Sequence, residues 1–354
     1  MRIVRNGLGF ALSAVAISGL LLSTVAPTAS AAKKENPAAF YKGKTIQFII
    51  PHGVGGGFDF YSRELALYMA KYMPGTTIVP INKPGAGGLT GTDLIASSKP
   101  DGLTIGIIDV TGTLTDQALS PKTVGYNDMT LSWIGRVSAD TPVMVVSENS
   151  PIKTIVDWQK SSSPVSFSVS GAGSDDDITI NLIGKLLGLP VDTVPGFSGT
   201  SATVAAVING TVMGTETTFG SIAPEIKSHE VRPLMVVGMD RRSEIPGVPT
   251  VAQDAWLMGA SSQAQSEVAD WAMIQGLNRA IAGPARIPSD RLAYLRTAMQ
   301  KAMKDPGFIA TMKKANREIS YLPGAAVGKD VRQALKDIKP LLPILKSLPG
   351  VGVK

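Results

Sequence analysis

Thr45-Ile46-Gln47-Phe48-Ile49-Ile50-Pro51-His52-Gly53-Val54-Gly55-Gly56-Gly57-Phe58-Asp59 carries an apolar, β-branched run straight into a glycine-rich turn. Thr45–Ile50 has the make-up of a buried strand. Phe60–Tyr72 places apolar side chains at helical spacing and is stopped by Pro74-Gly75. A strand that feeds a helix through such a turn opens a parallel sheet with covering helices. Gly55, Gly56 and Gly57 free the backbone of side chains, so amide N–H groups can come close to a ligand. Asp59 stands where it can cap the helix behind them, and the helix start adds about half a positive charge. Together they suit a carboxylate or another small anion. The turn is not a dinucleotide fingerprint, since the sixth position from Gly53 is Phe58, and Phe58-Asp59-Phe60 lacks the lysine of a phosphate loop.

Outward from this unit the pattern repeats. Thr76–Ile81 and Leu103–Ile108 read as strands, with a helix over Thr90–Ser97 between them. After Trp133, strands are expected at Val143–Val146, Val165–Val169, Val191–Val194 and Leu234–Val237, with helices at Ile178–Leu187 and Ser201–Ile208. The last eighty or so residues are mostly helical: Ser289–Lys304, Gly307–Ala315 and Ala326–Ile338. They lack the strands for a sheet of their own and must pack on an existing one. The expected fold is therefore α/β in two lobes, each a sheet covered by helices. Lobe 1 comprises residues 32–138 plus 252–354, and lobe 2 residues 139–251.

Composition narrows the function. Arg2 and Arg5, the apolar run Leu8–Val25 and Ala29-Ser30-Ala31 read as an export signal over residues 1–31, cleaved to leave a soluble periplasmic chain. No later stretch reaches the roughly 18 unbroken apolar residues of a spanning helix. Removing two arginines and no acids takes the net charge from +6 to +4. With no basic run in the sequence, nucleic acid is a poor partner. Cysteine is absent, which excludes disulfides, thiolate metal sites, cysteine nucleophiles and a lipid-modified cysteine anchor. Only two histidines, His52 and His229, are present, too few for most zinc and histidine-base enzymes. No catalytic residue, metal site or cofactor is expected.

The motifs converge on one family. Pro51 to Arg63, then Asn82-Lys83-Pro84-Gly85-Ala86-Gly87-Gly88, then Pro100-Asp101-Gly102-Leu103-Thr104 resemble the receptors of tripartite tricarboxylate transporters, the Bug-type solute-binding proteins. The likeness continues through Gly171-Ala172-Gly173-Ser174, Gly238 with Arg241-Arg242, and Pro246-Gly247-Val248-Pro249-Thr250. It implies a periplasmic binding-protein flytrap of the type II kind, with a small organic acid, aromatic or dicarboxylic, clasped between the lobes. The turn after the first strand and the Gly173-Ser174 turn would hold a ligand carboxylate. Two membrane subunits of a secondary transporter would then accept the ligand. A sensor subunit that presents its ligand to a receptor kinase, or a periplasmic hydrolase, are the alternative readings. Ser198 in Gly196-Phe197-Ser198-Gly199 is a poor nucleophile elbow.

Departures from the family bear on the ligand. Ser174 is followed by Asp175-Asp176-Asp177, which either cap a helix or meet a cationic part of the ligand or a metal ion. Each would repel a bound dicarboxylate by roughly 1 kcal/mol at contact distance in water. Phe58 stands where a small residue is usual, and either packs on the lobe or faces an aromatic acid. Thr217 takes the place of an aspartate that meets the amine in amino-acid-binding members, with Glu216 beside it, which weakens an amino-acid assignment. Thr111, Gly199 and Thr200, in turns that follow strands, complete the candidate lining.

Overall fold

The computed structural model describes residues 36–139 and 141–351; the export signal expected over residues 1–31 lies outside them. Eleven strands are present among the described residues: β1 (Thr45–Ile50), β2 (Thr77–Asn82), β3 (Thr104–Ile108), β4 (Ser132–Arg136), β5 (Pro142–Ser147), β6 (Val165–Val169), β7 (Val191–Pro195), β8 (Gly214–Thr218), β9 (Val231–Val236), β10 (Ala280–Gly283) and β11 (Leu322–Pro323). They form two sheets, ordered β11-β4-β10-β3-β1-β2 and β7-β6-β8-β5-β9. Each sheet mixes parallel and antiparallel pairs. β1 pairs in parallel with β2 and β3, and β6 with β7 and β8. β10 runs antiparallel between β3 and β4, as β5 does between β8 and β9.

The parallel halves are the strand–helix–strand units legible in the sequence. The antiparallel part of the first sheet comes from short runs that periodicity does not reveal, β4, β10 and β11, whereas in the second sheet it involves β5 and β9, both expected from the sequence. The late strands β10 and β11 insert on one flank of the first sheet, so chain from both ends builds one lobe. Pro80 is tolerated in β2 because β2 is an edge strand.

Burial follows the alternation. Ile46, Phe48 and Ile50 of β1 point to one face of the first sheet, against Leu65 and Met69 of the helix Gly57–Lys71 and Met299 of the helix Ser289–Met303. Ile49 and Ile108 face the other side and join a second core that includes Trp158, Leu182 and Trp271. Val143, Val145, Val207 and Val236 form a third cluster on the second sheet. Trp158 and Trp271 are fully buried, their indole N–H groups donating to Pro190 O and Thr179 Oγ1 at 2.9 and 3.2 Å. Met69, Met73 and Met303 are core residues, as their helical spacing suggests. No helix among the described residues is long and apolar enough to cross a membrane.

Candidate functional site

Five helices begin where the two sheets face each other: Gly57–Lys71, Val110–Leu119, Asp175–Leu187, Thr200–Ile208 and Phe219–Lys227. Each follows a strand through a short turn. A helix start leaves amide N–H groups without partners inside the helix, and the five together make a polar focus between the sheets.

The first turn is held by a bracket. Asp59 Oδ2 accepts the Gly55 N–H at 3.0 Å, while its Oδ1 accepts from Arg63 Nε and Asn82 Nδ2, each at 2.9 Å. Asn82 Nδ2 also donates to the His52 carbonyl at 3.0 Å. The Pro51–Arg63 and Asn82 motifs, far apart in sequence, are thus one device that sets the turn. Gly55 lies at φ 87°, a conformation that favours glycine. Burial alone would raise the Asp59 carboxyl, but the bonds from Arg63, Gly55 and Asn82 hold it below its ordinary value. The sequence suggested a helix-capping Asp59; instead it ties the turn to Arg63 and Asn82, and Gly56 is the cap residue.

The opposite turn has its own bracket. Asp176 Oδ2 accepts the Ser170 N–H and hydroxyl, both at 2.7 Å. Asp177 accepts the Gly173 N–H at 2.7 Å and the Asn181 amide at 2.8 Å. Asp175 reaches across instead, accepting from Gln275 Nε2 at 2.9 Å and Asn278 Nδ2 at 3.3 Å, on the chain that returns to the first sheet. The three aspartates therefore do different things.

Between the turns lies a cavity of about 90 Å³. Of the residues singled out in the sequence, Gly56, Gly57, Phe58, Ser174, Asp175, Asp176, Gly199, Thr200 and Thr217 line it. Gly55, Asp59 and Gly173 stand behind the lining, in the brackets. Thr111 is also outside it: its amide donates to Asn278 Oδ1 at 3.1 Å, and its side chain is buried. Larger hollows, of about 440 and 950 Å³, are lined by segments such as 237–240 and 329–339, away from the helix starts.

The cavity also takes His52, Asp109 and Glu216, and Arg279, which pattern reading passed over. Arg279 is the only Arg or Lys in the lining among the described residues. Its guanidinium lies 4.7 Å from the Tyr61 ring centroid and 5.3 Å from that of Phe58, and donates to Thr218 Oγ1 at 2.8 Å. It thereby ties the first lobe to β8. Phe58 stacks on His52, with centroids 4.1 Å apart. Burial, and then Arg279, lower His52 to about 4, so it is neutral at pH 7. The carboxyls move the other way. Burial first, then mutual repulsion, pushes Asp109 and Glu216 well above the usual range. Burial likewise takes Asp175 to about 7 and raises Asp176. A lone arginine ahead of the short apolar run Ala280-Ile281-Ala282 was the available sequence signal for Arg279. Glu216 carried a weaker one, as an acid inside a threonine-rich strand.

Two mixed sheets that close on a polar cavity at their helix starts define the two-lobed binding-protein class. The model for the tripartite tricarboxylate transporter family receptor matches residues 61–343, and the chain belongs to that family. It is 26% identical over 294 residues to a UPF0065 protein of the tcbD-tcbE intergenic region of Pseudomonas sp. strain P51, covering 82% of each chain. To protein BugT of Bordetella pertussis it is 26% identical over 253 residues, 68% of this chain and 73% of the other. Among solved structures it resembles the periplasmic binding protein BugD, with a TM-score of 0.71 at 22% identity over 87% of this chain and 98% of that one. It also resembles MatC of Rhodopseudomonas palustris, solved with malate bound, with a TM-score of 0.69 at 19% identity over 84% and 99% of the two chains. These likenesses carry the fold.

Proposed function

We propose that this chain is a periplasmic receptor that captures a small organic acid between its lobes and delivers it to the membrane subunits of a tripartite transporter, with no chemistry of its own. One observation carries the reading. Gly57 and Phe58 of the first lobe, and Thr200 of the second, line the same cavity at opposed helix starts. Among the described residues no acceptor pairs with their amides. One helix start alone leaves an anion half in water; two facing starts enclose it. Membership in a receptor family supports the transport role, and the malate-bound neighbour is in keeping with an acid. The lobes are assigned to residues 32–138 plus 252–354 and 139–251, and residues 1–31 to a cleaved leader.

Function then rests on a population shift: the ligand favours the closed form, and the transporter reads that form. Thermal-shift titration of the exported chain against small mono- and dicarboxylic acids tests the capture step. A ligand at 100 times its dissociation constant stabilises by about 2.7 kcal/mol. Acids that leave the melting temperature unmoved at every pH would remove this reading.

A further inference from the structure

The proposed receptor function leaves the ligand's charge open, and the cavity wall bears on it. Four carboxyl side chains line a space of about 90 Å³: Asp109, Asp175, Asp176 and Glu216. They come from three elements, namely the start of the helix Val110–Leu119, the start of the helix Asp175–Leu187, and β8. Asp176 is consumed by Ser170 and Ser174. Asp175 and Asp109 each accept polar partners along part of the carboxylate, from Gln275 and Asn278 and from the Gly112 N–H.

Glu216 differs. It is 6% exposed, and no hydrogen bond reaches its carboxylate among the described residues. A buried carboxyl with no donor keeps its proton rather than ionise, and at a binding wall an N–H donor from a ligand can take that proton's place. None of the wall's donors reaches Glu216: the amides of Gly57, Phe58 and Thr200 and the ring nitrogen Nε2 of His52 make no bond to it. Arg279 is directed at Thr218 Oγ1 and over the Tyr61 and Phe58 rings. The missing donor is therefore the ligand's.

We infer that the ligand is a small acid that also carries a cationic nitrogen, an ammonium or guanidinium, seated against Glu216 between Asp109 and Asp175, with its carboxylate at the amides of Gly57, Phe58 and Thr200. This rests on the receptor reading above and narrows it to amino- or guanidino-acids. Size agrees: the cavity has room for roughly six waters at about 15 Å³ each, hence for a ligand of about that many heavy atoms. No three acid or histidine side chains among the described residues are gathered closely enough to hold one metal ion, so an extended N–H donor fits the spread of acceptors better than a point charge.

The sign of the pH dependence separates this from a plain dicarboxylate. The raised acids Asp109, Asp175, Asp176 and Glu216 hold protons in the empty closed cleft, facing neutral His52 and Arg279. A cationic nitrogen displaces those protons, so its affinity climbs as pH rises through about 7. A dicarboxylate retains them, and its affinity falls over the same range.

The test is calorimetric titration of the exported chain at pH 5.5, 7 and 8.5 with glycine, β-alanine, 4-aminobutanoate, guanidinoacetate, succinate, malate and calcium chloride. The expected result is binding of at least one amino- or guanidino-acid, with affinity higher at pH 8.5 than at 5.5. Glu216→Gln should then weaken that ligand about tenfold or more. The same change should leave the unliganded melting temperature equal or higher, which a folding defect would not. Binding of succinate or malate alone, tightest at low pH, overturns the cationic nitrogen and keeps the receptor. A response to calcium alone also overturns it. If no organic member of the panel binds at any pH, the receptor reading falls as well.

Discussion

Gly53 and the carbonyl oxygen of Ser198, from opposite lobes, approach so closely that a Cβ built on Gly53 would stand 2.3 Å from that oxygen. Gly87 meets Ser174 at the other side of the cavity more loosely, with a Cβ position 3.4 Å from its Cα, an ordinary contact. The approach of the two jaws therefore depends on bare backbone at Gly53. Gly53→Ala should penalise closure while leaving both lobe cores intact. Overpacking of this kind costs about 1–3 kcal/mol, or about ten- to a hundredfold in ligand affinity. Titration beside a melting curve checks it: affinity falls and the unliganded melting temperature does not.

Asp59→Ala removes an acceptor shared by Gly55, Arg63 and Asn82, and should lower stability by about 2 kcal/mol. Because the Asp59 carboxyl is held below its ordinary value in the fold, its contribution is present above the unfolded value and is lost as pH falls through the folded one. Wild type and variant should therefore converge in acid urea melts. A constant gap down to the lowest accessible pH would contradict the bracket.

The unliganded protein should lose stability as pH rises from about 4 to 7. Asp175, Asp128 and Asp254 are each raised by burial to about 7, so the folded state binds protons that the unfolded chain releases near 3.8. His52, lowered to about 4, opposes this between its folded value and its ordinary 6.5. Asp175→Asn should flatten the slope of melting temperature against pH. A parallel profile for that variant would show that the carboxyl at 175 is ionised across the range.

Arg279→Lys keeps the charge but loses the flat guanidinium that lies over Phe58 and Tyr61 while bonding Thr218. Ligand affinity should drop about tenfold, since one of the ties between the lobes is cut. An unchanged dissociation constant would mean that Arg279 only fills space.

The strand–glycine-turn–helix unit at Thr45–Lys71 was legible because strand and helix periods are local, and three glycines admit few readings. The same holds for β6 with the helix Asp175–Leu187. β4, β10 and β11 were not legible. They are two to five residues long, too short for a period, and exist because neighbouring strands offer them hydrogen bonds. The helices Val110–Leu119 and Ser262–Gln275 were missed as well. Their threonines and glutamines weaken the apolar pattern, and packing between the lobes supplies what propensity lacks.

By itself the chain determined two α/β lobes, a glycine-bearing turn at a helix start in each and the absence of thiol chemistry, since these follow from local composition. Only the tertiary structure decided the character of the cavity. Asp109, Glu216 and Arg279 stand up to 170 positions apart in sequence, and their meeting depends on how the sheets close. Once they are enclosed, burial changes what each can do: acids that would be ordinary surface charges in the unfolded chain hold their protons at the cavity wall.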